Sequence, residues 1–327
     1  SSIIKYKTKD GGRFMTEKII GRQKEIKQLQ KCMDANQAQL IIVYGRRRVG
    51  KTFLINNFFN GRFDFKVAGS YAQTKEVQLK NFITELNLQS KQKLKVPENW
   101  TDAFFCLREY LDTLPKTEKH VIFFDEMPWF DTPRSDFLPA FEYFWNNWGS
   151  AQDNLVCLVC GSATAWLVDN IARNKGGLYN RQSCKLYLEP FTLNETEQYL
   201  KVNGFEWSRY QIVENYMIMG GIPYYLSLLD NSISLEANID NMFFKKRALL
   251  WDEFEHLYAT LFNNSEQYLK VVEALSSKKI GLTRKEISQI TKLPPNGSLT
   301  KILENLVNSE FVRAYQFFGN KKQDTLY

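Results

Sequence analysis

Between residues 40 and 188, apolar runs of four to six residues alternate with longer stretches whose apolar positions recur every third or fourth residue. The short runs predict strands at Leu40–Tyr44, Phe65–Ser70, His120–Phe124, Leu155–Cys160 and Lys185–Leu188. The longer stretches predict helices at Thr52–Phe59, Lys75–Leu88, Trp100–Leu114, Asp136–Asn147 and Thr164–Ala172. Parallel neighbours cannot be joined by a tight turn, so strands separated by helices imply an α/β fold on a parallel sheet.

After Leu188 the strand signal stops. Thr192 and Glu195 have the spacing of a capping box and open a helix, which sets a boundary near residue 190. Helical periodicity continues through Tyr210–Met219, past a Gly-Gly-Ile-Pro break into Ile222–Leu229, and on to about Phe262. The last segment predicts helices at Glu266–Leu275, from the capping box Thr283 to Glu286, and at Leu299–Asn308. A hairpin over Phe311–Tyr327, turning at Gly319-Asn320, completes the outline of a winged helix. The expected division is an extension over 1–15, an α/β domain over 16–190, a helical subdomain over 191–264 and a winged helix over 265–327. The returning strand of that wing has only Gln323–Tyr327 to pair with Phe311–Phe318, so the natural protein is expected to continue.

Composition narrows the chemistry. The 327 residues are 44% hydrophobic and 24% charged, an ordinary globular balance that excludes disordered and low-complexity classes. Two histidines, His120 and His256, argue against a His-built zinc site or a Ser-His-Asp hydrolase. Five scattered cysteines and no apolar leader point to a reducing cytoplasm. The Cys157-x-x-Cys160 pair lies inside an apolar run that reads as buried strand rather than as a metal or redox motif. The longest uncharged stretches have 15 residues, short of the ~20 that span a bilayer, so no membrane partner is expected. The net charge of +7 is uneven: residues 1–31 carry +6, residues 32–265 carry −3 and residues 266–327 carry +4.

The sharpest chemical signal is Gly45-Arg46-Arg47-Arg48-Val49-Gly50-Lys51-Thr52, a complete GxxxxGK[ST] between a strand and a helix. Its glycines let backbone N–H groups turn toward phosphate oxygens, and the helix N-terminus adds a positive end. Nucleotide contacts are expected from Gly45 through Phe53. Within that stretch, Lys51 reaches the β- and γ-phosphates and Thr52 ligates Mg²⁺. The strand His120–Phe124 ends in Asp125-Glu126, some 75 residues on. Asp125 can hold Mg²⁺ through its water shell, and Glu126 can take a proton from an attacking water. Arg181, ahead of the fifth strand, is a candidate arginine finger acting in cis or on a neighbouring copy, with Arg173 as its rival. Ser162 closes the fourth strand as a small polar residue.

Ile19–Leu29 (IIGRQKEIKQL), YGRRRVGKT, VIFFDE, CGSATAWL, LYNR with LEPF, and GGIPYYL occur together, in order, over nearly the whole chain. In this the sequence resembles the archaeal-type ATPases of the STAND class of P-loop NTPases. The resemblance implies an AAA-like, additional-strand catalytic-glutamate fold with sheet order 5-1-4-3-2, a helical lid and a winged helix. It implies that Ser162, between Tyr44 and Asp125, faces the γ-phosphate or the lytic water. It also implies that Ile19, Ile20 and Arg22 line the adenine side and that Pro223 closes over the nucleotide. No NKxD element is present, which favours ATP over GTP. Relatives commonly run on into a nuclease-like region, and this sequence stops at Tyr327.

The function expected is a Mg²⁺-dependent, ATP-hydrolysing switch that moves its winged helix. A nucleic-acid binder using ATP as cofactor is the alternative, with Lys321 and Lys322 of the wing as phosphate contacts and Thr300, Lys301, Glu304 and Asn305 on the outer helix face. A metabolic kinase would not need the winged helix, and Asp125-Glu126 after the third strand favours water as acceptor.

Overall fold

The computed structural model describes residues 19–327 except 163, 173–181, 263, 310 and 317–324. Five strands, β1 (Gln39–Tyr44), β2 (Phe65–Ala68), β3 (His120–Asp125), β4 (Leu155–Gly161) and β5 (Cys184–Tyr187), form one sheet in the order β2-β3-β4-β1-β5. Every pairing is parallel, and the order is the 5-1-4-3-2 that the resemblance implied. Register aligns Tyr44 with both Gly161 and Tyr187, and Ala68 with Asp125, so the loops after these strands open on one edge of the sheet.

Both faces of the sheet are buried, which parallel strands require. Leu40 and Ile42, Ile122 and Phe124, and Leu155, Cys157 and Val159 point into one apolar layer. Ile41 and Val43, Val121 and Phe123, and Val156, Leu158 and Cys160 point into the other. The first layer is covered by α3 (Lys75–Ser90), α4 (Trp100–Asp112) and α5 (Phe137–Asn147), with Trp100, Phe82 and Phe104 packed edge to face at its centre. The second is covered by α1 (Gln23–Asp34) and α2 (Lys51–Phe58). Cys157 and Cys160, an odd number of residues apart in a strand, fall on opposite faces and cannot share a ligand. Burial pushes both thiols up, as the core reading of that pair requires.

Up to Asn308, strand and helix limits agree with the apolar pattern to within two residues, with two exceptions; of the expected strand Phe311–Phe318, the described residues form only a single bridge at Tyr315. The helix expected over Thr164–Ala172 is α-helical only as α6 (Thr164–Leu167) and then widens into a π turn over Val168–Ala172. The helix expected over Ile222–Leu229 is the single turn α9 (Pro223–Leu226). Helix α1, which no expectation included, buries Leu29 and Cys32 along one stripe.

After β5 the chain is helical: α7 (Leu193–Val202), α8 (Arg209–Met219), α9, α10 (Leu235–Ile239) and α11 (Glu253–Leu261), followed by α12 (Ser265–Ser276), α13 (Arg284–Thr291) and α14 (Gly297–Asn308). The capping boxes at Thr192/Glu195 and Thr283/Glu286 both form, and Ser208/Gln211 makes a third. The last three helices share a core built on Val271, Ile287, Leu299, Leu303 and Leu306. Leu326 pairs antiparallel with Tyr315 and with Thr283. The expected turn at Gly319-Asn320 lies outside the described residues, as do Lys321, Lys322, residues 1–15, Arg173 and Arg181.

Candidate functional site

At the open edge of the sheet, β1 leads into the loop 45–50, and α2 starts at Lys51. Gly45 has φ +144°, and a Cβ there would lie 2.4 Å from the Leu188 carbonyl oxygen. Gly50 has φ +90° and caps α2. Both positions need glycine because an L side chain is strained at such angles. Val49 is fully buried, anchoring the loop to the sheet. The first N–H groups of α2 project from this end, the arrangement that binds anions at helix N-termini.

Arg22 braces the loop from behind. At the head of α1 its guanidinium donates to the carbonyls of Glu189 (2.7 Å) and Val49 (3.0 Å) and lies 4.8 Å over the Phe191 ring. Burial lowers its pKa, while the Glu195 carboxylate pulls the other way. The arginine expected beside adenine therefore has its donors on backbone carbonyls that join the phosphate loop to the segment after β5. Ile19 packs against the same apolar layer, and Ile20 is half-buried beside it in sequence.

Lys51 is 5% exposed, and its ammonium donates to the carbonyls of Gly45 (3.0 Å) and Arg46 (2.8 Å). Desolvation lowers its pKa, opposed by nearby Glu126 and Asp125. The Thr52 hydroxyl donates to Asp125 at 2.9 and 3.1 Å, so one hydroxyl and one carboxylate oxygen set meet where the loop faces β3. These are hard oxygen donors, suited to Mg²⁺, which takes one or two protein ligands and completes its shell with waters and substrate phosphates. No group of three or more His, Cys, Asp or Glu gathers among the described residues.

Glu126 follows at φ 44° and caps a short 3₁₀ turn, Met127–Phe130. Its carboxylate accepts the Ser162 N–H at 3.0 Å and the Ser162 hydroxyl at 3.0 Å to each oxygen. Order β3-β4-β1 brings Ser162 between Tyr44 and Asp125. Its hydroxyl, which the resemblance aims at the γ-phosphate or the water, donates to Glu126. The pair orients the candidate base.

The loop arginines reach outward. Arg48 pairs with Glu253 of α11 and lies 4.3 Å over Tyr224 and 5.6 Å over Tyr225. The Tyr225 phenol donates to Glu253 at 3.0 Å, and burial together with that carboxylate pushes it up to about 12. The Tyr224 N–H donates to the Arg48 carbonyl at 3.4 Å. This carries the Gly-Gly-Ile-Pro turn, with Pro223 as the first residue of α9, against the phosphate loop. Gly221 makes the turn possible: at φ +66°, a Cβ would lie 2.2 Å from the Phe191 carbonyl oxygen. Arg46 lies 5.1 Å over Phe311, and the Tyr71 hydroxyl donates to the Ala259 carbonyl at 3.0 Å.

Glu253, Tyr224, Tyr225 and Phe311 were not expected at the site. The one available signal was two adjacent tyrosines after Gly-Gly-Ile-Pro, and it does not name a partner. On α14, Lys301 and Glu304 are exposed, whereas the Asn305 amide donates inward to the Tyr268 hydroxyl at 2.8 Å. The outer face of that helix is therefore narrower than its sequence suggested.

A family described as an ATPase domain predominantly from Archaea matches residues 19–229. An uncharacterised protein of Methanocaldococcus jannaschii is 24% identical over 295 residues, 90% of this chain and 62% of that protein, so the chain spans under two thirds of that relative's length. An uncharacterised ATP-binding protein of the same organism is 46% identical over 44 residues, 14% of this chain and 75% of that protein. Among solved structures, a Walker-type ATPase of Pyrococcus abyssi covers 92% of each chain with a TM-score of 0.63 at 19% identity. The ORC2 protein of Aeropyrum pernix, in ADPNP–ADP complexes, covers 93% of this chain and 88% of its own with a TM-score of 0.58 at 14% identity. At these identities the structural matches establish a shared fold.

Proposed function

Because the chain belongs to the ATPase domain family found predominantly in Archaea, we propose that it binds ATP and hydrolyses it with Mg²⁺, and that the helices after residue 190 respond to the nucleotide. The observation that carries hydrolysis, beyond binding, is the Glu126 carboxylate held by two Ser162 donors next to Asp125. In this reading Lys51 turns from the loop carbonyls to the β- and γ-phosphates, and the α2 N-terminus holds phosphate oxygens. Magnesium, held by Thr52 and through water by Asp125, supplies charge neutralisation at the phosphates when bound. Glu126 accepts the proton of the attacking water. The arginine that would complete the site is Arg181 or Arg173, from the same chain or a second copy.

The finer reading is a STAND-type switch in which residues 191–264 act as a lid and 265–327 as a winged helix. It is supported by the contacts of Arg48 with Glu253 and Tyr224 and of Arg46 with Phe311, which link three distant segments to one loop. Each cation–π contact is worth ~0.5–2 kcal/mol, weak enough to exchange on nucleotide binding.

Purified protein is expected to release phosphate from ATP in Mg²⁺, with the activity stopped by EDTA and restored by Mg²⁺. Turnover that is insensitive to EDTA, or no turnover while ATP is bound, would remove the hydrolytic reading. For the switch, ATP is expected to alter the protease sensitivity of the segment around α11 and α12 in the wild type. In a Glu253→Gln/Phe311→Ala double variant that ATP dependence should disappear, with ATP affinity changed by less than about tenfold because the lost contacts lie outside the phosphate site. An unchanged ATP-dependent pattern in the variant would break the proposed linkage.

A further inference from the structure

Helix α8 is apolar on two sides. Ile212 and Met219 are buried, the one inward stripe that a surface helix needs. Tyr210, Val213 and Met217, spaced three and four apart, make a second stripe that is exposed. Met217 is 79% exposed, and so is 72% of Phe244, which ends the π turn Asp240–Phe244 after α10. Between these elements runs a groove of about 430 Å³. Met217, Ile218 and Phe244 line it, together with the buried Leu235. Glu214, Glu236 and Asp240 line it as well, and no Lys or Arg does. We propose that this groove docks an amphipathic helix of a partner protein, one whose apolar stripe is flanked by Lys and Arg.

The walls select the shape of the occupant. Both are helical, so their backbone groups are bonded within the helices and offer no sheet edge to an added strand. Phe244 is the single aromatic side chain among the lining residues, which leaves a proline-rich ligand without its aromatic bed. An apolar trough between helices instead takes the anchors that a helix presents at every third or fourth residue. Met217, unbranched and polarizable, adapts to the shape of such an anchor.

The charges select its flanks. Asp240 is 4.0 Å from Lys245, whereas Glu214 and Glu236 have no ion-pair partner among the described residues. Lys246 and Arg247 follow in sequence and are exposed, but they do not line the groove. Carboxylates beside an apolar trough repel nucleic-acid phosphates and anionic lipid headgroups, and they attract Lys and Arg set beside an apolar stripe. The apolar anchors supply most of the affinity, and the carboxylates set partner choice and association rate. None of these residues belongs to the phosphate site, so docking is measurable without ATP.

The test titrates the full chain, without nucleotide, into two fluorescently labelled helical peptides and follows their anisotropy. One carries Leu on one face and Lys on the other; the second has Glu in place of every Lys. The Leu/Lys peptide is expected to bind, more weakly as salt is raised, and the Leu/Glu peptide at least about tenfold more weakly than it. Met217→Ser/Phe244→Ser should weaken the Leu/Lys peptide by about tenfold or more, as the loss of buried anchors does. Glu214→Lys/Glu236→Lys should reverse the preference between the peptides. Both pairs replace side chains at the groove surface, and an unchanged melting temperature shows that the fold holds. Phe105→Ser, an exposed apolar residue on α4, should leave binding as it is. Equal binding of the two peptides, no binding of the Leu/Lys peptide, or binding unchanged in both groove variants would overturn the proposal. So would dimerisation of the chain in sedimentation that Met217→Ser/Phe244→Ser abolishes, since the groove would then hold a second copy.

Discussion

A Glu126→Gln chain is expected to bind ATP and to hydrolyse it about 10²–10⁴-fold more slowly than the wild type, the range that a positioned general base contributes. Glutamine keeps the shape of glutamate and loses its basicity. Its carbonyl oxygen can accept the Ser162 N–H that now reaches Glu126 at 3.0 Å, and the Ser162 hydroxyl can rotate to accept from the amide nitrogen. The site should therefore stay assembled, and ATP affinity should remain within a few-fold of the wild type. Single-turnover hydrolysis and equilibrium binding of a fluorescent ATP analogue separate the two effects. Turnover within tenfold of the wild type would show that another group takes the proton.

The second large effect is expected from Lys51→Ala, which should weaken ATP binding by about 10²-fold or more, since it removes the cation that charge-assisted phosphate contacts depend on. The fold should not be what fails. Desolvation holds the folded-state pKa of Lys51 below its ordinary value, so the buried ammonium is kept charged at a cost. That cost is fully present at pH below the folded value, declines as pH rises above it and is gone above the ordinary lysine value, the sign for a lysine shifted downward. Removing the side chain relieves it and frees the Gly45 and Arg46 carbonyls that accept from the ammonium, the first of them buried. The melting temperature without nucleotide is accordingly expected to match or exceed that of the wild type. ATP with Mg²⁺ at a hundred times its wild-type Kd should stabilise the wild type by about 2.7 kcal/mol and the variant by about 0.4 kcal/mol or less. An equal ATP-induced shift in both chains would mean that Lys51 is not the phosphate contact.

These predictions rest on residues with very different visibility in the sequence. The phosphate loop and Asp125-Glu126 are contiguous, and each follows directly on an apolar run. Their chemistry therefore depends on neighbours a few residues away. The same holds for the capping boxes at Thr192/Glu195 and Thr283/Glu286, where donor and acceptor lie within one helical turn. The exceptions at Ile222–Leu229 and Thr164–Ala172 are places where helical periodicity is local and the stop is not. Leu226 and Met219 share an apolar cluster with Phe191, and that packing, rather than propensity, decides where the chain turns.

What the linear pattern could not supply is which ends meet. Strand spacing alone left the sheet order open; the resemblance to a family provided it, and the pairing of β4 between β1 and β3 bears it out. Once that order is set, Ser162 reaches Glu126 across 36 positions and Arg22 reaches Glu189 across 167. Arg46 and Arg48 stand out in the phosphate loop, but Glu253 and Phe311, which they meet, look ordinary in isolation. Their roles appear only when α11 and the segment after α14 come to rest against the loop.

By itself the sequence determined the α/β class, the limits of its strands, the phosphate loop and the two carboxylates at the end of β3, because apolar periodicity and backbone turn chemistry act over a few neighbouring residues. Only the tertiary structure decided how Glu126 is held and where Arg22 and the loop arginines make their contacts. Each of those depends on two distant segments packing against one sheet, and no local rule specifies which segments will meet.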